Sequence, residues 1–321
     1  MKKIGIIGCG RQAPKHITGY IENGIKDIFL FDSVESRARD LAAQYDLQHR
    51  KIEDLVDIPD IDIYSICTPP TTHDSLIEKL INNNKHLLCE KPLSLDLDNL
   101  LEFERLSNEK GLTVMGGYIY KLSPSHIEMK EFIEANQGHV DNAYFRIASP
   151  GATNAWQFSK NEGGGAINEL FVHMMDLANW YFGPIESIEE IDTQIYLPER
   201  ESMLDKNDLL AEDFITVRIR NRSGVSITIE ADMISNDFLQ YLNVSGPGLF
   251  GFCSIQPNLP LIMSQSEKKY NIYEYREFKN LHTSQIRYFL NCIDKITIHS
   301  QSTISESISI CKFLNEITGS D

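Results

Sequence analysis

Lys3-Ile4-Gly5-Ile6-Ile7-Gly8-Cys9-Gly10-Arg11-Gln12-Ala13 opens the chain and decides how its first half is read. Lys3 to Gly8 is a short, continuous apolar strand, and G-x-G-x-x-A follows it directly into a helix that ends near Asn23-Gly24. Gly8 permits the tight turn, Gly10 lets the backbone approach a pyrophosphate, and Ala13 is small enough for close helix-to-strand packing. The helix start, with Arg11 and Gln12 in the turn before it, offers free N–H groups and the positive end of a dipole. The pattern gains weight from a second strand, Ile28 to Phe31, which ends in Asp32 about 20 residues downstream, where an acid can accept hydrogen bonds from an adenosine ribose. Asp32 would repel a 2′-phosphate, so NAD is the expected cofactor, while Ser33 and Arg37 keep NADP open. A βαβ unit that binds S-adenosylmethionine is the alternative reading of the same stretch.

The alternation continues outward. A helix from about Glu35 to Tyr45 and a polar segment precede a buried strand, Ile61 to Cys67. Such alternation implies a parallel, doubly wound sheet. That strand ends in Thr68-Pro69-Pro70-Thr71-Thr72-His73, a stiff loop at the carboxyl end, where open α/β sheets place ligands. Thr68 and Pro69 are therefore cofactor candidates, against the plainer reading of a proline turn, and His73 either joins them or starts the next helix. Strand His86 to Cys89 closes on Glu90-Lys91-Pro92. The proline holds Lys91 extended at the strand end, where an ammonium can polarise a substrate oxygen or hold a ribose. The Lys91-Pro92 bond is a candidate for the cis form. A helix over Asp96 to Lys110 and a strand over Leu112 to Met115 complete the sheet near Gly116-Gly117.

Composition bounds the partners. With 321 residues the chain can hold about two domains. A formal charge of −16 argues against a nucleic-acid or anionic-membrane surface. Six scattered cysteines without a C-x-x-C pair read as buried thiols in a reducing compartment, with no disulfide framework and no metal expected. Met1 to Ile6 enters a strand without a signal-peptide pattern, and no apolar run reaches the roughly 20 residues of a membrane span. The expected location is cytoplasmic.

The second informative stretch is Gly163-Gly164-Gly165-Ala166-Ile167-Asn168-Glu169-Leu170-Phe171-Val172-His173-Met174-Met175-Asp176. From Ala166 to Phe182 it reads as one helix, apolar on nearly every side and hence buried. Glu169, His173 and Asp176 fall at i, i+4 and i+7, so three ionisable groups share a narrow face. Burying them together is costly unless they pair or do chemistry. A structural trio, in which the carboxylates hold the imidazole, stays open beside a catalytic one.

Taken together these motifs resemble the Gfo/Idh/MocA oxidoreductases: Gly8-Cys9-Gly10, Thr68-Pro69 with His73, Glu90-Lys91-Pro92, Gly117-Tyr118 with Lys121 to Pro124, and Gly163 through Glu169, His173 and Asp176. The resemblance spans the whole chain, including the paired C-terminal helices. It implies a Rossmann domain, an α/β domain with a large open sheet, a nicotinamide cofactor, and sugars, inositols or nucleotide sugars as substrates. It also implies a homodimer or homotetramer formed through that sheet. Tyr118 and Lys121 become substrate contacts, and His173 becomes the catalytic histidine. The chain departs from the pattern in three places. Glu169 stands where Asp is common in polyol-oxidising members, Phe171 where glycine is, and Lys121 where arginine often gives a two-pronged grip.

Residues 1–120 are thus read as the cofactor domain and 121–321 as the substrate and oligomerisation domain, with the last helices free to pack back on the first. Ser123 to Asn136 reads as a helix and His139 to Ala148 as a strand. Ser149 to Glu162 reads as a loop over the crevice, in which Trp156 is either a sugar-stacking face or a buried anchor. Beyond Gly183-Pro184 come strands Ile185 to Leu197, Phe214 to Arg220, Val225 to Asp232, Tyr241 to Ser245 and Leu249 to Ile255, with turns short enough for antiparallel pairing. An exposed sheet face of this kind suits a partner subunit. Glu199 to Asp213 reads as a solvated acidic loop, and helices over about Thr283 to Lys295 and Ser302 to Thr318 end the chain.

The expected activity is hydride transfer between NAD and a secondary alcohol or ketone, with His173 as base, Glu169 tuning it and Lys91 steadying charge on the reacting oxygen. This requires residues 91 and 173 to reach opposite edges of one nicotinamide ring. The rivals are a non-catalytic NAD(H) sensor or assembly subunit, and a metal-dependent hydrolase, for which too few ligands can be placed.

Overall fold

The computed structural model describes residues 2–58, 61–151, 154–256, 258–266, 271–273 and 281–319. It divides into two compact units, Met1–Ile119 with Lys279–Asp321, and Tyr120–Phe278. The boundary read from the sequence leaves the closing helices in the second domain. The structure groups them with the first, because their apolar stripes complete its core.

In the first unit, the apolar run β1 (Lys3–Ile7) is buried along all but its first residue. α1 (Ala13–Glu22) begins with Pro14 in its first turn, where a missing N–H costs nothing. β2 (Asp27–Phe31), α2 (Glu35–Tyr45) and β3 (Gln48–Arg50) follow. β3 was read as a polar segment; three polar residues on a sheet edge carry no apolar signal. β4 (Ile61–Ile66), α3 (His73–Asn82), β5 (His86–Cys89), α4 (Leu97–Lys110) and β6 (Val114–Gly116) complete the alternation. Asp96 caps α4 by accepting from the Asn99 N–H at 3.0 Å, and Gly111 ends it at φ 65°.

The six strands are ordered β3-β2-β1-β4-β5-β6, and every neighbouring pair is parallel. The chain reverses direction across the sheet between β1 and β4, so the crevice for a ligand lies at their carboxyl ends. α7 (Leu281–Ile293) sends Ile286 and Phe289 into the core shared by α1 and β1, while α8 (Ile304–Thr318) sends Ile304 and Ile308 into the core on the opposite face. Thr303 and Glu306 start α8 with a reciprocal capping box.

The second unit holds α5 (Pro124–Ala135), β7 (Asn142–Ala148), a short 3-10 turn over Ala155–Phe158, a π-helical turn over Ile167–Phe171, and α6 (Val172–Phe182). Residues 152 and 153 of the expected loop lie outside the described residues. β8 (Ile185–Gln194), β9 (Phe214–Asn221), β10 (Ser226–Asp232), β11 (Leu239–Gly246), β12 (Leu249–Cys253), β13 (Leu261–Gln265) and β14 (Asn271–Tyr273) follow. With β7 they form one sheet ordered β14-β13-β12-β11-β7-β10-β9-β8, antiparallel except for the β7–β10 pair. β13 and β14 escaped the sequence reading.

The acidic stretch Glu199 to Asp213 is not simply a solvated loop. Pro198–Met203 forms a 3-10 helix, and Asp213 is 3% exposed, accepting the Tyr196 and Leu197 N–H groups at 2.8 and 2.9 Å. No helix among the described residues is long and apolar enough to cross a membrane.

Candidate active site

The first unit supplies a cradle built from strand ends. Gly8 has φ 87°, and a Cβ there would lie 2.7 Å from Thr68 Cγ2 and 2.9 Å from the Cys67 carbonyl carbon, so only glycine fits. Gly10 is exposed, with no atom within 4 Å of where its Cβ would stand, which leaves the backbone open to close approach. Arg11 is exposed and Gln12 half-buried at the start of α1. Asp32, 8% exposed at the end of β2, accepts the Cys9 N–H at 2.7 Å and the Val34 N–H at 2.8 Å. One carboxylate therefore ties down the glycine turn from the end of β2. The donors at the helix start, the open Gly10 backbone and the acid at the strand end fit a dinucleotide.

Thr68 and Pro69 are half-buried at the end of β4. His73, read as a cofactor contact or a helix start, opens α3 and is fully buried, with its ring nitrogens 2.9 Å from the Thr68 carbonyl and 2.8 Å from the Pro92 carbonyl. It ties together the loops that follow β4 and β5. Burial lowers its pKa from the usual histidine value, against the raising effect of those carbonyls. Lys91 is half-buried at the end of β5, and the Lys91–Pro92 peptide is cis. Glu90, 7% exposed, turns inward, its Oε1 3.0 Å from His16 Nε2. Burial alone would raise its carboxyl, yet the His16 hydrogen bond and the neighbouring His16, His282 and Lys91 hold it down to about 2.

In the second unit the expected single helix is broken. The π-helical turn over Ile167–Phe171 carries Glu169, and the α-helix starts only at Val172, with His173. The wider turn changes the angular step, so the three ionisable groups do not share one regular 100° stripe. Glu169 stays half-buried and accepts from Gln157 Nε2 at 2.8 Å. His173 is 9% exposed, its ring centroid 4.8 Å from that of Tyr120. Asp176 is 2% exposed and accepts from Lys121 Nζ at 2.9 Å.

Glycines set the approach to this turn. A Cβ on Gly164 would lie 2.5 Å from the Gln157 carbonyl, and Gly165 has φ 93°. Glu212 holds the start of the turn, its backbone carbonyl taking the Ala166 N–H at 2.8 Å and its carboxylate the Ile167 N–H at 3.1 Å. Burial raises the Glu212 carboxyl above the usual range despite the bond from the Ile167 N–H.

Two substrate candidates are buried. Lys121 is fully buried in its pair with Asp176, and Tyr118, 1% exposed, folds back so that its ring lies 3.0 Å from a Cβ placed on Gly116. Phe171 is core. Trp156 remains half-exposed. Gln157 and Tyr120 were missed; nothing in their spacing marks them, and only the folded chain brings them to Glu169 and His173.

A parallel sheet of this order, with a glycine turn closed by an acid at the next strand's end, defines a dinucleotide-binding fold. The chain belongs to the Gfo/Idh/MocA family: residues 2–118 match the oxidoreductase family's NAD-binding Rossmann fold and residues 127–247 the GFO/IDH/MocA C-terminal domain. It is 24% identical over 247 residues to the uncharacterized oxidoreductase sll0816 of Synechocystis sp., covering 73% of this chain and 66% of that one. It is 25% identical over 183 residues to inositol 2-dehydrogenase of Rhizobium meliloti, covering 56% and 55%. The matches thus span about half to two thirds of those relatives' lengths. The fold is shared with levoglucosan dehydrogenase in complex with NADH and L-sorbose, at a TM-score of 0.86 and 16% identity, covering 99% of this chain and 96% of that one.

Proposed function

We propose that the protein is a nicotinamide-dependent dehydrogenase acting on a secondary alcohol, or the matching ketone, of a sugar, inositol or nucleotide sugar. The observation that carries this reading is the π-helical turn Ile167–Phe171, which sets Glu169 and His173 on either side of its exit. Such turns gather at functional sites because they hold side chains at angles a regular helix does not offer. NAD, when bound, supplies the hydride acceptor, and NADH the donor.

His173 takes the hydroxyl proton during oxidation and returns it during reduction. Glu169, steadied by Gln157, orients and tunes that imidazole. Lys91 stabilises negative charge developing on the reacting oxygen. Arg11, Gln12, Thr68 and Pro69 line the cofactor cradle, and the half-exposed Trp156 offers an aromatic face to a sugar ring. The names of the relatives, inositol and levoglucosan dehydrogenases among them, support turnover over simple NAD(H) sensing and support polyols as the class to screen. Exposed Ile191, Tyr196 and Phe250 on and beside the second unit's sheet support association with further copies.

The test is a fluorescence titration with NADH and NADPH, followed by a screen of inositols, sugars and nucleotide sugars at the nicotinamide absorbance band. Tight NADH binding with no turnover across that screen would sink the reading.

A further inference from the structure

A hydrogen-bonded chain runs through the core of the first unit to the residue beside Lys91, and the reaction proposed above makes no use of it. Tyr20 Oη lies 2.9 Å from Ser65 Oγ, Ser65 Oγ 3.2 Å from His16 Nδ1, and His16 Nε2 3.0 Å from Glu90 Oε1. Tyr20, Ser65 and His16 are fully buried. Buried polar groups must find partners, so where each hydrogen sits is constrained.

Glu90 accepts, its carboxyl held below the usual range against burial first of all by the hydrogen bond from His16. His16 therefore donates from Nε2. A second ring hydrogen, on Nδ1, would make Ser65 accept from His16 and would leave either the Ser65 or the Tyr20 hydroxyl hydrogen without an acceptor among the described contacts. The consistent arrangement has Tyr20 donating to Ser65, Ser65 to His16 Nδ1, and His16 to Glu90. All three bonds point the same way, and each polarises the next.

The surroundings hold the carboxylate at the end of this chain in place. A Cβ on Gly117 would lie 2.9 Å from the Lys91 N and 3.1 Å from Glu90 Oε2, so the Gly117 backbone presses on the other side of the carboxylate. His282 stands edge-on to His16, ring centroids 5.6 Å apart, its pKa pushed down to about 3 by burial and by nearby His16 and Lys15. It fills space without adding charge near neutrality. Lys15, whose pKa burial lowers and Glu90 raises, and Lys91, the residue next to Glu90 in the chain, both interact with the same carboxylate electrostatically.

We propose that His16 is a positioning residue for Lys91: the directed chain Tyr20–Ser65–His16 fixes the Glu90 carboxylate as one immobile negative charge against which the Lys91 ammonium is set. This rests on Lys91 having the role given above. Ligand atoms of His16, Glu90 and His282 also lie within 4.8 Å of one another, as at a cation site. The positive charges of Lys15 and Lys91, both coupled to this carboxylate, oppose a further cation there, so the hydrogen-bonded chain is the better account.

The test uses the full-length protein. Nitrogen-15 histidine NMR is expected to find His16 as the Nε2–H tautomer, with a downfield N–H proton that moves upfield in Glu90→Gln. The carbon-13 resonance of reductively methylated Lys91, identified by its loss in Lys91→Arg, is expected to shift in Tyr20→Phe, which removes a single oxygen. If the enzyme turns over, Tyr20→Phe and Ser65→Ala should each lower kcat about two- to tenfold, the weight of one hydrogen bond, with KM and NADH affinity held. His16→Gln, which keeps a donor toward Glu90, should recover activity lost in His16→Ala. An Nδ1–H tautomer, an unmoved Lys91 resonance, or one zinc per chain that is lost in His282→Ala would overturn the proposal. The NMR outcomes need no substrate, so they separate its failure from failure of the dehydrogenase reading.

Discussion

The Lys121 ammonium lies 2.9 Å from the Asp176 carboxylate, with 0% and 3% of the two side chains reached by solvent. A pair this deep acts as a structural tie. Taking away one partner strands a buried charge, which typically costs about 3–5 kcal/mol. Lys121→Met should therefore destabilise the protein by that amount in urea unfolding, and adding Asp176→Leu should restore much of the loss. A normal unfolding midpoint with a raised KM in the single variant would put Lys121 at the substrate site instead.

His173 is expected to behave differently. His173→Ala should lower turnover about 10²-fold, the usual weight of a positioned acid-base group. NADH affinity should hold, because the glycine turn Gly8 to Ala13 and Asp32 belong wholly to the first unit. Stopped-flow fluorescence and steady-state rates on the same preparation check both, and near-normal turnover would remove His173 from the chemistry.

Asp32 joins stability to cofactor binding. Its two oxygens each take a backbone N–H, from Cys9 and Val34. Asp32→Asn turns an amide NH₂ toward one of those donors, and an unmet buried donor costs about 1–3 kcal/mol. The variant should lose stability in thermal unfolding and also bind NADH more weakly, since the turn that receives the dinucleotide is no longer pinned. Weakened binding without any stability change would show that the carboxylate acts on the ribose alone.

Acid should destabilise the protein well above the carboxylate range. Burial depresses His126 from 6.5 to about 4 and His282 from 6.5 to about 3. A histidine depressed in the folded state takes up its proton more readily when unfolded. Its contribution is complete above pH 6.5 and drains away as pH falls toward the folded value, on the order of a few kcal/mol each. Glu90, lowered from 4.5 to about 2, adds a second loss below pH 4.5. Urea midpoints measured from pH 7.5 to 4 should fall steadily, and less steeply in His126→Gln. A flat profile down to pH 5 would contradict the buried, neutral state of both imidazoles.

The readable parts of this protein are those whose signal is local. Gly8, with its positive φ and its close approach to Thr68 and Cys67, is a backbone requirement that only one residue type satisfies. The buried strands β1, β2, β4 and β5 stand out as apolar runs because both sheet faces are covered by helices. β3 did not, being three polar residues at a sheet edge, and the π-helical turn did not, because an apolar run looks the same whether its turn holds 3.6 residues or more. The burial of His73 and Lys121 was not legible for one reason: sequence places a polar side chain near a ligand loop but does not say which partners the packed core gives it.

The sequence by itself determined the alternation of the first unit, its glycine turn and acid, the Glu90-Lys91-Pro92 strand end, and the glycine run leading to an acid and an imidazole, because each follows from residue type and near-neighbour spacing. Only the tertiary structure decided that Asp176 turns to Lys121, that Gln157 steadies Glu169, and that Tyr20, Ser65 and His16 line up behind Glu90. Those partners stand far apart in sequence, and pairing among buried polar groups is settled by desolvation and by which donors the packed core brings within reach.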